Sequence, residues 1–222
     1  MKTPKLCVAV LCALAAPVYA GPDWIEVGDA GSSVRTAQPV VGIGTPTHIQ
    51  GTLSNSLLAA ADFEDMYLLR IETPTSFHFD LSGSTFDSML YLFNVTQADE
   101  AFGLLANNDT PTSLGSLING PNATDNSGAM VLNPGVYALA VTGFNRHPVS
   151  RTGDIFFFAS NTETSGADGA GGLNPLQGWD GVGATGSYDI ELDGIGYVNV
   201  PAPSAAVIMA TGVGVLMRRR RK

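Results

Sequence analysis

Short hydrophobic runs separated by polar turns fill most of the chain, a pattern typical of β-strands. Apolar and polar residues alternate strictly in residues 49–53, 77–81 and 188–193. We expect these strands to bury one face and expose the other. Residues 89–93, 136–141 and 155–158 are apolar on both faces, so we expect three central strands that are covered on both sides.

Turn clusters rich in Ser, Asn, Pro and Gly separate these runs, at residues 82–84, 107–109, 119–122 and 133–135. No convincing amphipathic helix accompanies them. The spacing therefore predicts an all-β fold, an antiparallel β-sandwich or jelly roll. Glycine becomes frequent from residue 161 to 187, where we expect a long flexible loop, and residues 188–199 then supply a last strand or hairpin.

The first twenty residues have the order of a secretory signal. Lys2 and Lys5 precede an apolar run at residues 6–18, and the small-residue pattern ends at Ala20, just before Gly21. We expect a signal helix and cleavage by signal peptidase between Ala20 and Gly21, in preference to a buried N-terminal helix. Both cysteines lie inside this segment, so the mature chain would have no disulfide and no cysteine chemistry.

The charges are distributed unevenly. Between the two ends, 20 acidic residues face only four basic ones, Arg35, Arg70, Arg146 and Arg151. A surface this acidic repels phosphate backbones, so nucleic acid is excluded as a partner. Calcium-rich surroundings or cationic and neutral glycans suit it better.

Motifs for hydrolytic catalysis are absent. The chain has three histidines, His48, His78 and His147, and neither a Gly-x-Ser-x-Gly nor a His-Glu-x-x-His pattern. A carboxylate pair drawn from the acidic residues 62, 64, 65, 87 and 109 would still allow glycosidase chemistry if two of them faced each other across a sugar cleft. We expect no catalytic residue. A small secreted carbohydrate-active hydrolase is the alternative.

Oxygen-bearing residues at strand and loop junctions could hold a cation. Asp87, Asn108 and Asp109 are weak candidates for calcium ligands, because calcium takes oxygen atoms from loops. No metal or other cofactor is otherwise expected.

Four segments, residues 65–67, 86–93, 106–109 and 132–141, occur in an order and spacing that resemble the bacterial pre-peptidase C-terminal domain. The resemblance covers about residues 48–158 and implies a small secreted β-sandwich. Asn108 stands where that family usually has a second acidic residue.

The C-terminal residues have three parts in order. A motif of Val200, Pro201, Ala202, Pro203 and Ser204 is followed by an apolar stretch at residues 205–217 and by the basic cluster Arg218, Arg219, Arg220, Arg221 and Lys222. As a helix, the apolar stretch spans only roughly 20 Å, so it would anchor the chain in the membrane only marginally. The basic cluster would stay on the cytoplasmic side. The arrangement resembles the PEP-CTERM sorting signal, in a variant with Ala202 in place of glutamate. That resemblance implies processing by an exosortase-type membrane protease, and an ordinary anchor is the alternative.

These observations divide the chain into a signal at residues 1–20, a β-sandwich domain at 21–160, a Gly-rich loop at 161–187, a final strand or hairpin at 188–199 and a sorting signal at 200–222. We expect an exported, non-enzymatic protein of the cell surface or extracellular matrix. It would be transiently anchored in the membrane and would serve as an adhesion or polysaccharide-binding module.

Overall fold

The structure is a computed structural model that describes residues 23–55 and 61–198, and both ranges are all-β. The expected signal helix at 1–20 and membrane helix at 205–217 lie outside them. Within the described ranges, no helix is long and apolar enough to cross a membrane. The strands are β1 (Asp23–Ile25), β2 (Gln38–Pro39), β3 (His48–Leu53), β4 (Glu64–Ile71), β5 (His78–Asp80), β6 (Ser88–Val95), β7 (Ala101–Asn107), β8 (Leu117–Asn119), β9 (Gly135–Gly143), β10 (His147–Ser150), β11 (Gly153–Asp154), β12 (Thr164–Gly166), β13 (Gly178–Asp180), β14 (Gly186–Asp193) and β15 (Ile195–Gly196).

The larger sheet has the order β12-β7-β6-β9-β4-β15, with β2 paired to β4. Its central strands β6 and β9 coincide with two of the runs that are apolar on both faces, so that prediction is confirmed. They are apolar throughout because both faces of the sheet are covered.

The second sheet has the order β1-β3-β14-β5-β8. Along β14, Tyr188, Ile190 and Leu192 are buried, whereas the residues between them are exposed. The three alternating segments form β3, β5 and β14, as the period of two predicts. Polar side chains therefore cover the outer face of this sheet.

One hydrophobic core contains residues from both sheets, including Ile49 and Ile190 from the five-stranded sheet and Leu92 and Leu139 from the larger one. Two layers around a shared core are consistent with a β-sandwich. The pairing is mixed rather than purely antiparallel, because β1 runs parallel to β3 and β2 runs parallel to β4.

The glycine-rich segment differs from the flexible loop that its composition predicts. It contains β12, which pairs with β7, and β13, which pairs with β10. Trp179 of this segment packs against a second apolar cluster on the far face of the larger sheet, and its Nε1 donates a 2.8 Å hydrogen bond to the Ser32 carbonyl. Glycine is required for close packing here, since a Cβ at Gly172 would collide with the Ala167 carbonyl.

The expectation of a strand at residues 155–158 is wrong. Ile155 and Phe156 are buried, but Phe157 is 60% exposed and the segment has no ladder partner. The chain has just turned at β11, and the segment packs two apolar side chains against the far face of the larger sheet instead of joining it.

Candidate functional site

A groove of about 800 Å³ lies on the polar outer face of the five-stranded sheet. Outward side chains of β3 and β14 line it, together with Asp80 of β5, the loop at residues 82–85, and Ile25 and Glu26. The alternation in β3 and β14 makes this face polar, because every second side chain points away from the core.

Hydrogen bonds between neighbouring strands order the groove side chains. His48 Nδ1 lies 2.8 Å from Asp189 Oδ1, and Gln50 Nε2 donates a 2.9 Å hydrogen bond to Asp189 Oδ2. The hydroxyls of Thr52 and Ser187 lie 3.3 Å apart. Asp189 thus holds both the His48 and the Gln50 side chains in place along the groove.

The groove is acidic. Glu26, Asp80, Asp189 and Glu191 line it, and no lysine or arginine does among the residues that the structure describes. Asp80 lies directly opposite Glu191 across the β5–β14 ladder, an arrangement of like charges that destabilises a sheet unless something neutralises it.

A serine nucleophile would need a histidine within hydrogen-bond reach. His48 and Asp189 form a pair like that of a catalytic triad, but in the described part of the chain no hydroxyl hydrogen bonds to His48. None of the five acidic residues that the sequence suggested for a carboxylate pair lines the groove.

A partly buried acidic cluster lies beside the core. Carboxylate oxygens of Glu26, Asp62 and Asp65 all lie within 4.8 Å of one another. Burial raises the pKa of Asp65 to about 8, with nearby Asp62 and Glu26 acting in the same direction. Burial also raises the pKa of Asp62 to about 7, helped by Asp29 and Glu26.

Hydrogen bonds already satisfy Asp65. Its Oδ2 accepts a 2.6 Å bond from the Tyr188 hydroxyl, and its Oδ1 accepts a 3.3 Å bond from the Ala30 amide. The hydroxyls of Tyr188 and Tyr67 lie 2.5 Å apart. The cluster is therefore a polar tie between β4 of one sheet and β14 of the other.

Glu64 takes no part in that cluster, although the sequence places it between Asp62 and Asp65. It points to Arg146, which donates from Nε at 2.8 Å and from Nη2 at 3.1 Å. Arg146 Nη1 also donates to the Gly181 carbonyl at 2.7 Å. This bidentate pair fastens β4 to the turns beside it.

The three calcium candidates lie at one end of the β6–β7 hairpin. Asp87 immediately precedes β6, and Asn108 and Asp109 immediately follow β7. Burial raises the pKa of Asp87, and the Asp109 carboxylate acts in the same direction. The antiparallel pairing of Leu90 with Asn107 places both residues at the same end of the hairpin. The structure thus brings together the residues that the sequence singled out.

Sequence reasoning missed the groove and the tyrosine tie. The alternation of β3 and β14 indicates a polar face, but a concave shape depends on the loop at residues 82–85 and on β1. Tyr188 is 123 positions from Asp65, and no local pattern signals that contact. The signal-cleavage residues Ala20 and Gly21 and the sorting residues from Val200 to Lys222 lie outside the described ranges.

Comparison with known proteins gives no assignment, since no protein-family model, curated protein or solved structure matches the chain.

Proposed function

We propose that this is an exported, non-enzymatic protein of the cell surface or extracellular matrix, whose body binds extracellular polysaccharide. The finer architecture in this proposal is a β-sandwich or jelly roll related to the pre-peptidase C-terminal domain. The observation that carries the binding role is the polar groove on the outer face of the five-stranded sheet.

The groove side chains suit sugar hydroxyls. Carboxylates accept hydrogen bonds from hydroxyls, whereas Gln50, Thr52 and Ser187 can both donate and accept. Strands and cross-strand hydrogen bonds hold these groups, so a ligand would pay little ordering entropy on binding. The acidic lining also favours sugars that are neutral or carry amino groups over polyanions.

The alternative is a carbohydrate-active hydrolase that uses a carboxylate pair. Asp80 and Glu191 face each other in the groove, and retaining glycosidases use carboxyl groups about 5–5.5 Å apart. Asp80 Oδ1, however, accepts a 2.7 Å hydrogen bond from the Ser82 amide. Tyr188 in the lining directs its hydroxyl to Asp65 instead of presenting it to a sugar. These contacts favour binding over hydrolysis.

Export and sorting complete the proposal. Signal peptidase would release the chain at Gly21, and the tail would hold it in the membrane until an exosortase-type protease acts near residues 200–204. The cysteine-free, acidic body suits the exterior of a cell.

A side chain added to the groove tests the binding role. A Cβ at Gly83, which lines the groove, meets no atom within 4 Å, so Gly83→Leu should fold normally and obstruct the ligand. Gly178→Leu is the matched control, because Gly178 is equally open and lies outside the groove. Affinity electrophoresis in matrix polysaccharide from the producing bacterium measures binding.

We expect the wild-type protein and Gly178→Leu to be retarded equally, and Gly83→Leu to bind at least roughly tenfold more weakly. Equal retardation of all three proteins, or none, would contradict the groove proposal. Release of new reducing ends by the wild type but not by Glu191→Gln would instead establish the hydrolase.

A further inference from the structure

The turn that follows β7 folds back against the residue that precedes β6. Because Leu90 pairs with Asn107 in the antiparallel ladder, Asp87 and Asp109 lie at the same end of the hairpin. The Ser88 amide donates to the Leu114 carbonyl at 3.1 Å, and the Phe144 amide donates to the Asp87 carbonyl at 2.8 Å. The turn after β7 and the residue that follows β9 therefore both contact the start of β6.

Three side-chain oxygens at this end are buried and accept no hydrogen bond, Oδ1 of Asp87, of Asn108 and of Asp109. Asn108 is 2% exposed and Asp109 is 8% exposed. A buried acceptor without a partner costs about 1–3 kcal/mol, and more if it is charged. Three such atoms at one end of the β6–β7 hairpin require a common explanation.

Several donors of neighbouring residues already serve other acceptors. The Asp109 amide donates to the Asn161 carbonyl at 2.8 Å, and Asn107 Nδ2 donates to the carbonyls of Asp109 and Glu163. The Arg146 backbone amide donates to the Gly143 carbonyl at the end of β9. Its guanidinium donates to the Glu64 carboxylate and the Gly181 carbonyl. Each of these donors therefore serves an acceptor other than the three oxygens.

We propose that Asp87, Asn108 and Asp109 are ligands of a bound calcium ion. Their oxygen atoms are hard ligands, and the two carboxylates supply the charge that balances a divalent cation. No histidine or cysteine of the described residues joins them, which disfavours zinc and copper. Calcium needs six to eight oxygens, so backbone carbonyls and water would complete the shell.

The other acidic cluster does not fit a cation as well. Both oxygens of Asp65 already accept hydrogen bonds, and Glu26 Oε2 accepts one from the Thr52 amide at 2.9 Å. At the β6–β7 end, by contrast, three buried side-chain oxygens have no hydrogen-bond partner among the residues described.

Calcium at this site would join the turn after β7 to the start of β6. Its charge would offset the repulsion between the carboxylates of Asp87 and Asp109. Such a site would be saturated in the millimolar calcium outside a cell and would make the native state depend on that calcium.

The test measures calcium binding to the purified full-length protein by titration calorimetry, together with its melting temperature in calcium and in chelator. Asp109→Asn removes one ligand charge without changing the side-chain shape, and Asn108→Asp adds one. Asp62→Asn is the matched control, because it removes a carboxylate from the other cluster.

We expect calcium at about millimolar concentration to raise the melting temperature of the wild type and of Asp62→Asn by roughly 3 °C or more. Asp109→Asn should lose at least about tenfold in affinity and Asn108→Asp should gain a similar factor, since ligand charge sets affinity. No heat and no shift in the wild type would overturn the proposal. It would also fail if Asp62→Asn abolished binding while Asp109→Asn kept it.

Should Asp109→Asn fail to fold, Asn108→Asp still decides the question, because only ligation at this position predicts tighter binding. Unchanged affinity in a folded Asn108→Asp protein, measured against wild type, would contradict the site.

Discussion

The Tyr188 hydroxyl donates a 2.6 Å hydrogen bond to the buried carboxyl group of Asp65 across the core. Tyr188 belongs to β14 and Asp65 to β4, so the bond joins the two sheets. The Tyr67 hydroxyl extends the chain of hydrogen bonds by one more residue of β4. Apolar contacts are nondirectional, and this tie can therefore help to fix how the sheets lie against each other.

Tyr188→Phe should lower the free energy of unfolding by about 1–3 kcal/mol, because it leaves a buried acceptor without its donor. Urea denaturation measures the change. Tyr137→Phe is the control, since its hydroxyl donates at 2.7 Å to the Asn133 carbonyl, a neutral acceptor in a partly buried place. A loss in Tyr188→Phe no larger than that in Tyr137→Phe would show that the tie contributes little.

Stability should fall as the pH rises from about 4 to about 8. Asp65 keeps its proton in the folded protein up to a pKa of about 8, but in the unfolded chain it loses the proton near the ordinary carboxyl pKa of 3.8. Between these values the native state binds more protons, so each pH unit can remove up to ~1.4 kcal/mol for this group. The raised pKa of Asp62, about 7, acts in the same direction.

Urea denaturation at about pH 5, 6, 7 and 8 measures this dependence. Asp65→Asn should flatten the slope, whereas Asp154→Asn, at an exposed position of β11, should preserve it. A wild-type stability that rises through this interval in parallel with that of Asp65→Asn would contradict the assignment.

Local patterns predicted much of the fold. The period of two in β3, β5 and β14 and the apolar runs of β6 and β9 reflect which faces are covered, and that information lies in neighbouring residues. Residues 155–158 mislead for the same reason, since they are buried against a sheet without belonging to it. Periodicity reports burial, not hydrogen-bond partners.

The same distinction between local pattern and distant contact applies to the candidate sites. Asp87, Asn108 and Asp109 could be proposed together because they flank adjacent strands, and oxygen-rich strand ends are visible in sequence. The lack of hydrogen-bond partners for their side-chain oxygens could not be predicted from the sequence. It depends on how the turns at residues 110–116 and Phe144 fold against the strand ends. Glu64 lies between Asp62 and Asp65 in sequence, but it pairs with Arg146, 82 positions away.

Replacing Arg146 with leucine should destabilise the protein by about 2 kcal/mol or more. The change leaves the half-buried Glu64 carboxylate without its bidentate partner and removes a donor from the Gly181 carbonyl. Thermal or urea denaturation checks the loss.

The double variant Arg146→Leu with Glu64→Gln should recover part of that stability, because it removes the unpaired charge. Additive losses in the double variant would mean that the two side chains do not interact energetically. A single-variant loss below about 0.5 kcal/mol would mean that solvent screens the pair.

The tail gives the sharpest test of sorting. Pro201 and Pro203 lack backbone donors and disfavour a helix before them, so the motif should stay extended and reachable by a membrane protease. The apolar residues 205–217 would present the motif at the outer boundary between membrane and water, while Arg218 to Lys222 resist translocation.

In a host with a matching exosortase, the wild-type protein should therefore lose the residues that follow the motif. Replacing residues 200–203 with a Gly-Ser stretch should leave the full-length chain in the membrane fraction, as mass spectrometry of the C-terminal peptide would show. A stretch this short spans only part of the roughly 30 Å hydrocarbon core, so it suits transient retention better than permanent anchoring. An intact C-terminus on both proteins would leave a plain anchor as the explanation.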